Sequence, residues 1–306
     1  MMTTWTQPAS SLCPTFEQLR DRGRDALDAG RLDEALELLD RASEIAHQRD
    51  DEHLIDLAYA NRSSVLINLG RQNEVMTRLR AILMRNRNAE NCFLAAYNLS
   101  RAHVRNKAYK KGLFYARIAR DRAESLDRTD WMCSSHNQIG NCLMDESYFE
   151  EAAGEYRLAL DLEADPKSLL HASLITNLGY CHMMLGDLEK GFQCAFQSLR
   201  RLRRLGAELY LVWPHLDLCY AYLESGRYRR AYQHGYQALT LAERIGDPDR
   251  IKTALFLLGE TEREAGDTQG AVETFSHLQT RFYPEAPEIV SLMAAIEMRQ
   301  VVNLRT

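Results

Sequence analysis

The sequence predicts an all-α solenoid of about seven helix pairs closed by a C-terminal capping helix, the architecture that a fixed internal period implies. A short turn motif recurs at residues 30, 70, 107, 147, 186, 226 and 266, with separations of 40, 37, 40, 39, 40 and 40. Seven residues before each turn stands a small side chain: Gly23, Ser63, Ser100, Gly140, Gly179, Cys219 and Gly259. Five residues after it stands another: Ala35, Val75, Gly112, Ala152, Gly191, Ala231 and Ala271.

The turns read Gly30-Arg-Leu-Asp-Glu-Ala35, Ser147-Tyr-Phe-Glu-Glu-Ala152, Gly186-Asp-Leu-Glu-Lys-Gly191, Gly226-Arg-Tyr-Arg-Arg-Ala231 and Gly266-Asp-Thr-Gln-Gly-Ala271. Weaker copies start at Gly70 and Lys107. Glycine supplies the left-handed backbone that a helix end requires, and acidic residues just beyond it suit the positive N-terminus of the next helix. Each turn therefore joins two helices. Small residues on both let the backbones approach, and Leu99, Ile139, Leu178, Leu218 and Leu258 supply apolar knobs beside them. The expected unit is an antiparallel hairpin.

Taken in order, residues 1–14 form a polar leader expected to be disordered, residues 15–283 the solenoid, and residues 284–306 a capping helix and tail. Gln48–Asp51, Glu163–Lys167 and Gly246–Asp249 separate successive pairs and offer Asp or Ser caps to the next helix. Pro284 and Pro287 introduce a last helix with Ile289, Leu292, Met293 and Ile296 on one face. Val290, Ala294 and Val301 form a second stripe, where a homo-oligomer contact or a plain frayed cap is expected.

With 306 residues, 45% hydrophobic and 26% charged, the composition is that of ordinary soluble protein. No run approaches the ~18 apolar residues of a membrane helix, so no membrane partner is expected. The leader lacks the apolar core of a secretory signal, and the seven cysteines (Cys13, Cys92, Cys133, Cys142, Cys181, Cys194 and Cys219) include no Cys-x-x-Cys pair. A cytoplasmic location follows as the expectation. A net charge of −5 argues against nucleic acid as the partner.

Ile139-Gly140-x-x-Leu143, Leu178-Gly179-Tyr180-x-His182 and Leu258-Gly259 before the Gly266-Asp-x-x-x-Ala271 turn resemble the tetratricopeptide repeat. The likeness covers about residues 15–280. The period near 40 resembles the longer-helix variant of bacterial signalling regulators, peptide sensors and kinesin light chains. The resemblance implies a right-handed superhelix whose first helices line a concave groove and whose second helices cover the convex side.

On that frame, the position nine residues before each turn forms a ladder: Asp21, Asn61, Asn98, Gln138, Asn177, Asp217 and Leu257. Asparagine is a poor helix-interior residue, so its repeated use needs a reason. One reason is that a row of amides can hydrogen-bond the main chain of an extended peptide, as the resembling family does; the other is a solvated face that tolerates any small polar residue. Further groove positions run from Arg20, Arg24 and Arg101 to Asn141, Tyr180, Trp213, Tyr220 and Phe256. The aromatic residues are read either as partner anchors or as core. The chaperone-adaptor clamp, which pairs amides with two cations, does not fit: Asn137, Asn141 and Asn177 are followed by Trp213 and Asp217 where the cations belong.

No catalytic residue is nominated. Phosphate-binding loop, nucleophile-elbow and His-Glu-x-x-His motifs are absent. Cys133 with His136 and His171 is a poor metal set, so no metal or cofactor is expected. Cys142 and Cys181 read as core fillers. Asp33-Glu34, Glu150-Glu151 and the Arg200–Arg204 run suit helix dipoles, although the last also offers an acidic partner a site. The expected function is a non-catalytic scaffold or adaptor that holds an extended peptide or protein segment. The alternative is a peptide-sensing signalling regulator whose superhelix changes conformation on binding.

Overall fold

The computed structural model describes residues 14–295 and residue 303. Among them there is no strand. The chain divides into two compact units, one ending at Leu126 and the other beginning at Asp127.

The first unit holds three helix pairs: α1 (Phe16–Asp28) with α2 (Leu32–Gln48), α3 (Glu52–Asn68) with α4 (Gln72–Arg85), and α5 (Ala89–Arg105) with α6 (Tyr109–Ser125). The second holds four: α7 (Thr129–Asp145) with α8 (Phe149–Leu162), α9 (Leu169–Met184) with α10 (Leu188–Arg204), α11 (Val212–Glu224) with α12 (Tyr228–Ile245), and α13 (Pro248–Glu264) with α14 (Thr268–Phe282). A 3-10 turn, Glu208–Tyr210, precedes α11, and α15 (Ile289–Ala295) follows α14. Within each unit the second helix of one pair packs on the first helix of the next, and neighbouring first helices also touch.

All seven expected turn residues have left-handed backbones, including Lys107 (φ 55) and Ser147 (φ 64), the two that are not glycine. The small positions are buried throughout, and at Gly23, Gly140, Gly179, Gly191 and Gly259 a Cβ would come within 2.8 Å of a neighbouring atom. A Cβ on Gly140 would come within 2.7 Å of the Tyr156 ring, one on Gly23 within 2.8 Å of Leu39, and one on Gly259 would run into Phe275. Asp51, Ser168 and Asp247 cap the helices that follow the inter-pair loops, each satisfying backbone N–H groups that a helix start leaves without partners. Thr15 and Gln18 close a reciprocal capping box on α1.

In α15 Met293 is buried and Ile289 half-buried, both on the expected face, while Leu292 is 43% exposed. Ile296 and Val301 lie outside the described residues, as does the leader apart from Pro14.

Candidate functional site

In the first unit the amide ladder is internally bonded. Asn61 is 8% exposed and donates to the Leu57 carbonyl of its own helix at 2.8 Å. Asn98, only 1% exposed, donates across to the Ala60 carbonyl on α3 at 2.7 Å and accepts from the Ser64 hydroxyl at 2.9 Å. Asn91, which carries no repeat signature, does the same one turn pair earlier, donating to the His53 carbonyl at 3.0 Å. Arg101 donates to the Asn68 side chain, and Arg20 pairs with its neighbour Asp21 at 2.8 Å. The expectation of open amides is thus not met at Asn61 and Asn98. Their face of the first helix meets the preceding first helix, where a side-chain N–H can take the second lone pair of a helical carbonyl.

The second unit uses the same face differently. Gln138 is buried, whereas Asn141 and Asn177 are half-buried and bonded to one another: Asn177 Nδ2 donates to Asn141 Oδ1 at 3.1 Å. The Tyr156 hydroxyl donates to the same oxygen at 2.8 Å. Beyond this pair, Tyr180 from α9, Trp213, Asp217 and Tyr220 from α11, and Leu257 from α13 line one narrow cleft. Tyr180, Asp217 and Tyr220 are buried and Trp213 is half-buried, with the Arg250 guanidinium 5.4 Å from its ring centre. Phe256 belongs to the core. The cleft is a narrow seam of about 10 Å³ lined by aromatic faces and one carboxylate with a cation nearby, and of these side chains Trp213 is the one left half-buried at its rim.

Asn303 lies on this side of the unit. It accepts from the Tyr180 hydroxyl at 2.7 Å and donates to the Met144 carbonyl at 2.8 Å.

Other candidates separate. The Cys133 thiol donates to the Ala159 carbonyl at 3.2 Å, and burial pushes it up to about 11. His136 instead meets Glu155 at 2.6 Å. Among the described residues no group of His, Cys, Asp and Glu is arranged to hold a metal ion, and no helix is long and apolar enough to cross a membrane. Cys142 and Cys181 are fully buried. Arg200, Arg203 and Arg204 are exposed at the end of α10, while Arg201 donates to the Pro166 carbonyl. A contact that sequence reading passed over joins His215 and His234, whose Nδ1 atoms lie 2.9 Å apart. Burial, then His234 and Arg203, pushes His215 down to about 3, so the bond is one neutral ring donating to another.

A tetratricopeptide-repeat family profile matches residues 210–280, which span α11 through most of α14. Together with the helix pairs stacked within each unit, that match decides the fold. Residues 210–280 are tetratricopeptide repeats, and the chain has the tetratricopeptide-repeat fold. No curated relative matches it. Among solved structures, the chain is similar to a Rap protein complexed with Competence and Sporulation Factor, at 13% identity and TM-score 0.68, over 91% of this chain and 76% of that one. It is similar to the apo form of the quorum sensor NprR from B. thuringiensis, at 12% identity and TM-score 0.67, over 93% and 82%. It also resembles the APC/C hetero-tetramer Cut9-Hcn1, at 13% identity and TM-score 0.67, over 94% of this chain and 51% of that one. At these identities the likeness is one of fold.

Proposed function

We propose that this protein is a non-catalytic, cytoplasmic interaction scaffold that holds an extended peptide or protein segment on the first-helix face of its second unit. The observation that carries this reading is the convergence of Tyr180, Trp213, Asp217 and Tyr220 on one cleft beside the Asn141–Asn177 pair. Trp213 supplies the aromatic anchor at the rim of the cleft, and the half-buried amides supply main-chain hydrogen bonds. Asn141, Asn177 and Trp213 are the contact residues, while Gln138 supports the helix packing beneath, and Asn61, Asn98 and Arg101 serve helix packing within the first unit. A peptide-sensing regulator is the second reading, favoured by the fold shared with the Rap protein and with the quorum sensor NprR over more than nine-tenths of this chain.

The test is selection of displayed random peptides on wild type and on Trp213→Ala and Asn177→Ala, with helicity and melting matched. Selected peptides are expected to lose about tenfold or more in affinity on Trp213→Ala, the scale of an interface anchor. Binding that neither substitution weakens overturns the reading. A change in the molecule's dimensions on peptide addition, measured by small-angle scattering, separates the sensor from the scaffold.

A further inference from the structure

Asn303 follows Ala295 by eight residues in sequence and meets three groups of the second unit, from α7, from the turn after it and from α9. Its Oδ1 accepts from the Tyr180 hydroxyl at 2.7 Å. Its Nδ2 donates to the Met144 carbonyl at 2.8 Å and to the Ser147 hydroxyl oxygen at 3.3 Å. One donor faces the carboxamide oxygen and two acceptors face its nitrogen, which is the complement of a primary amide. The orientation is fixed, because a carbonyl only accepts and the reversed amide would set oxygen against oxygen.

The receiving groups are held before anything binds. The Tyr180 ring lies edge-on to Phe149, with centroids 5.9 Å apart at 81°. The Met144 carbonyl stands in the last turn of α7, where acceptors run out of intrahelical partners, and the Ser147 N–H fixes it at 2.9 Å. Ser147 itself is set by its left-handed backbone. An aspartate at the same place would oppose the Met144 oxygen, an apolar side chain would leave the Tyr180 hydroxyl without its acceptor, and serine is too short to span all three groups.

We propose that Tyr180, Met144 and Ser147 form an asparagine-reading subsite of the partner face, occupied in the resting chain by its own Asn303, which an incoming asparagine-bearing segment must displace. The proposal rests on the reading that this face receives an extended segment. A side chain of the same chain has an effective concentration of roughly a millimolar at its own site, so against an intrinsic dissociation constant of roughly 10 to 100 micromolar a free segment binds about 10- to 100-fold more weakly while Asn303 is seated.

The probe is the synthetic peptide of residues 296–306, titrated against full-length wild type and full-length Asn303→Asp, which keeps an acceptor for Tyr180 but repels the Met144 carbonyl. The peptide is expected to bind Asn303→Asp at least tenfold more tightly than wild type, and the same peptide carrying Asp at position 303 is expected to bind neither. Adding Tyr180→Phe, which keeps the packed ring, should weaken the peptide about fivefold in the Asn303→Asp background, the share of one hydrogen bond. Equal binding to wild type and Asn303→Asp overturns the internal occupancy. Binding to neither, or equal binding of the Asp peptide, overturns the subsite. Either failure leaves the partner face to be judged separately by the Trp213→Ala selection.

Discussion

Asn98 sits where the repeat places an amide in four of seven copies, yet it spends both polar atoms inside the first unit. Replacing it by alanine strands the Ser64 hydroxyl and removes a buried bond between α5 and α3. Asn98→Ala should therefore cost about 2 kcal/mol in urea unfolding, and Asn61→Ala, which loses only a bond within its own helix, about half that. A purely partner-facing ladder would leave stability unchanged in both. The His215–His234 contact makes a separate prediction about pH. The folded His215 titrates near 3 whereas the unfolded ring titrates near 6.5, so on acidification the unfolded chain takes up a proton that the folded chain refuses. This contribution is full above about pH 6.5 and is lost as pH falls toward 3, amounting to about 2 kcal/mol between pH 7 and pH 5. His215→Gln should flatten that part of the stability profile measured by chemical denaturation.

Hairpins make two different demands on glycine. At Gly140 the demand is steric: Tyr156 is fully buried and bonded to Asn141, so its ring has no direction in which to yield to a Cβ at 2.7 Å. At Gly186 the demand is conformational, since nothing lies within 4 Å but φ is +83°. Gly140→Ala should cost about 3 kcal/mol by overpacking, and Gly186→Ala about 1 kcal/mol by backbone strain. Ser147 and Lys107, already left-handed at equivalent turns, bound the second figure from above. Thermal melting of the two variants checks the order, and a larger loss at Gly186 would contradict it.

Across the molecule, the repeat and its turns were legible because each leaves a fixed residue type at a fixed spacing: Gly23 to Gly259 before the turns and Ala35 to Ala271 after them are all consequences of backbones in close approach. The surroundings of the amides were not legible. The spacing tells which helix face Asn98 occupies but not that the neighbouring helix covers it, whereas two pairs further along Asn177 stays half-buried. Asn303 left no trace at all, because its contacts with Tyr180 and Met144 span 123 and 159 residues and belong to no period. The identical turns also govern how such a chain can change length over evolution. Excision from Gly186 through Ser225 brings Gly226 to the end of α9, with Gly179 meeting Ala231 across a normal hairpin, so gene variants that gain or lose a whole period keep every interface matched. Loss of half a period sets two like helices in sequence and leaves both small faces without a mate, so insertions and deletions in this lineage should cluster near multiples of one full repeat.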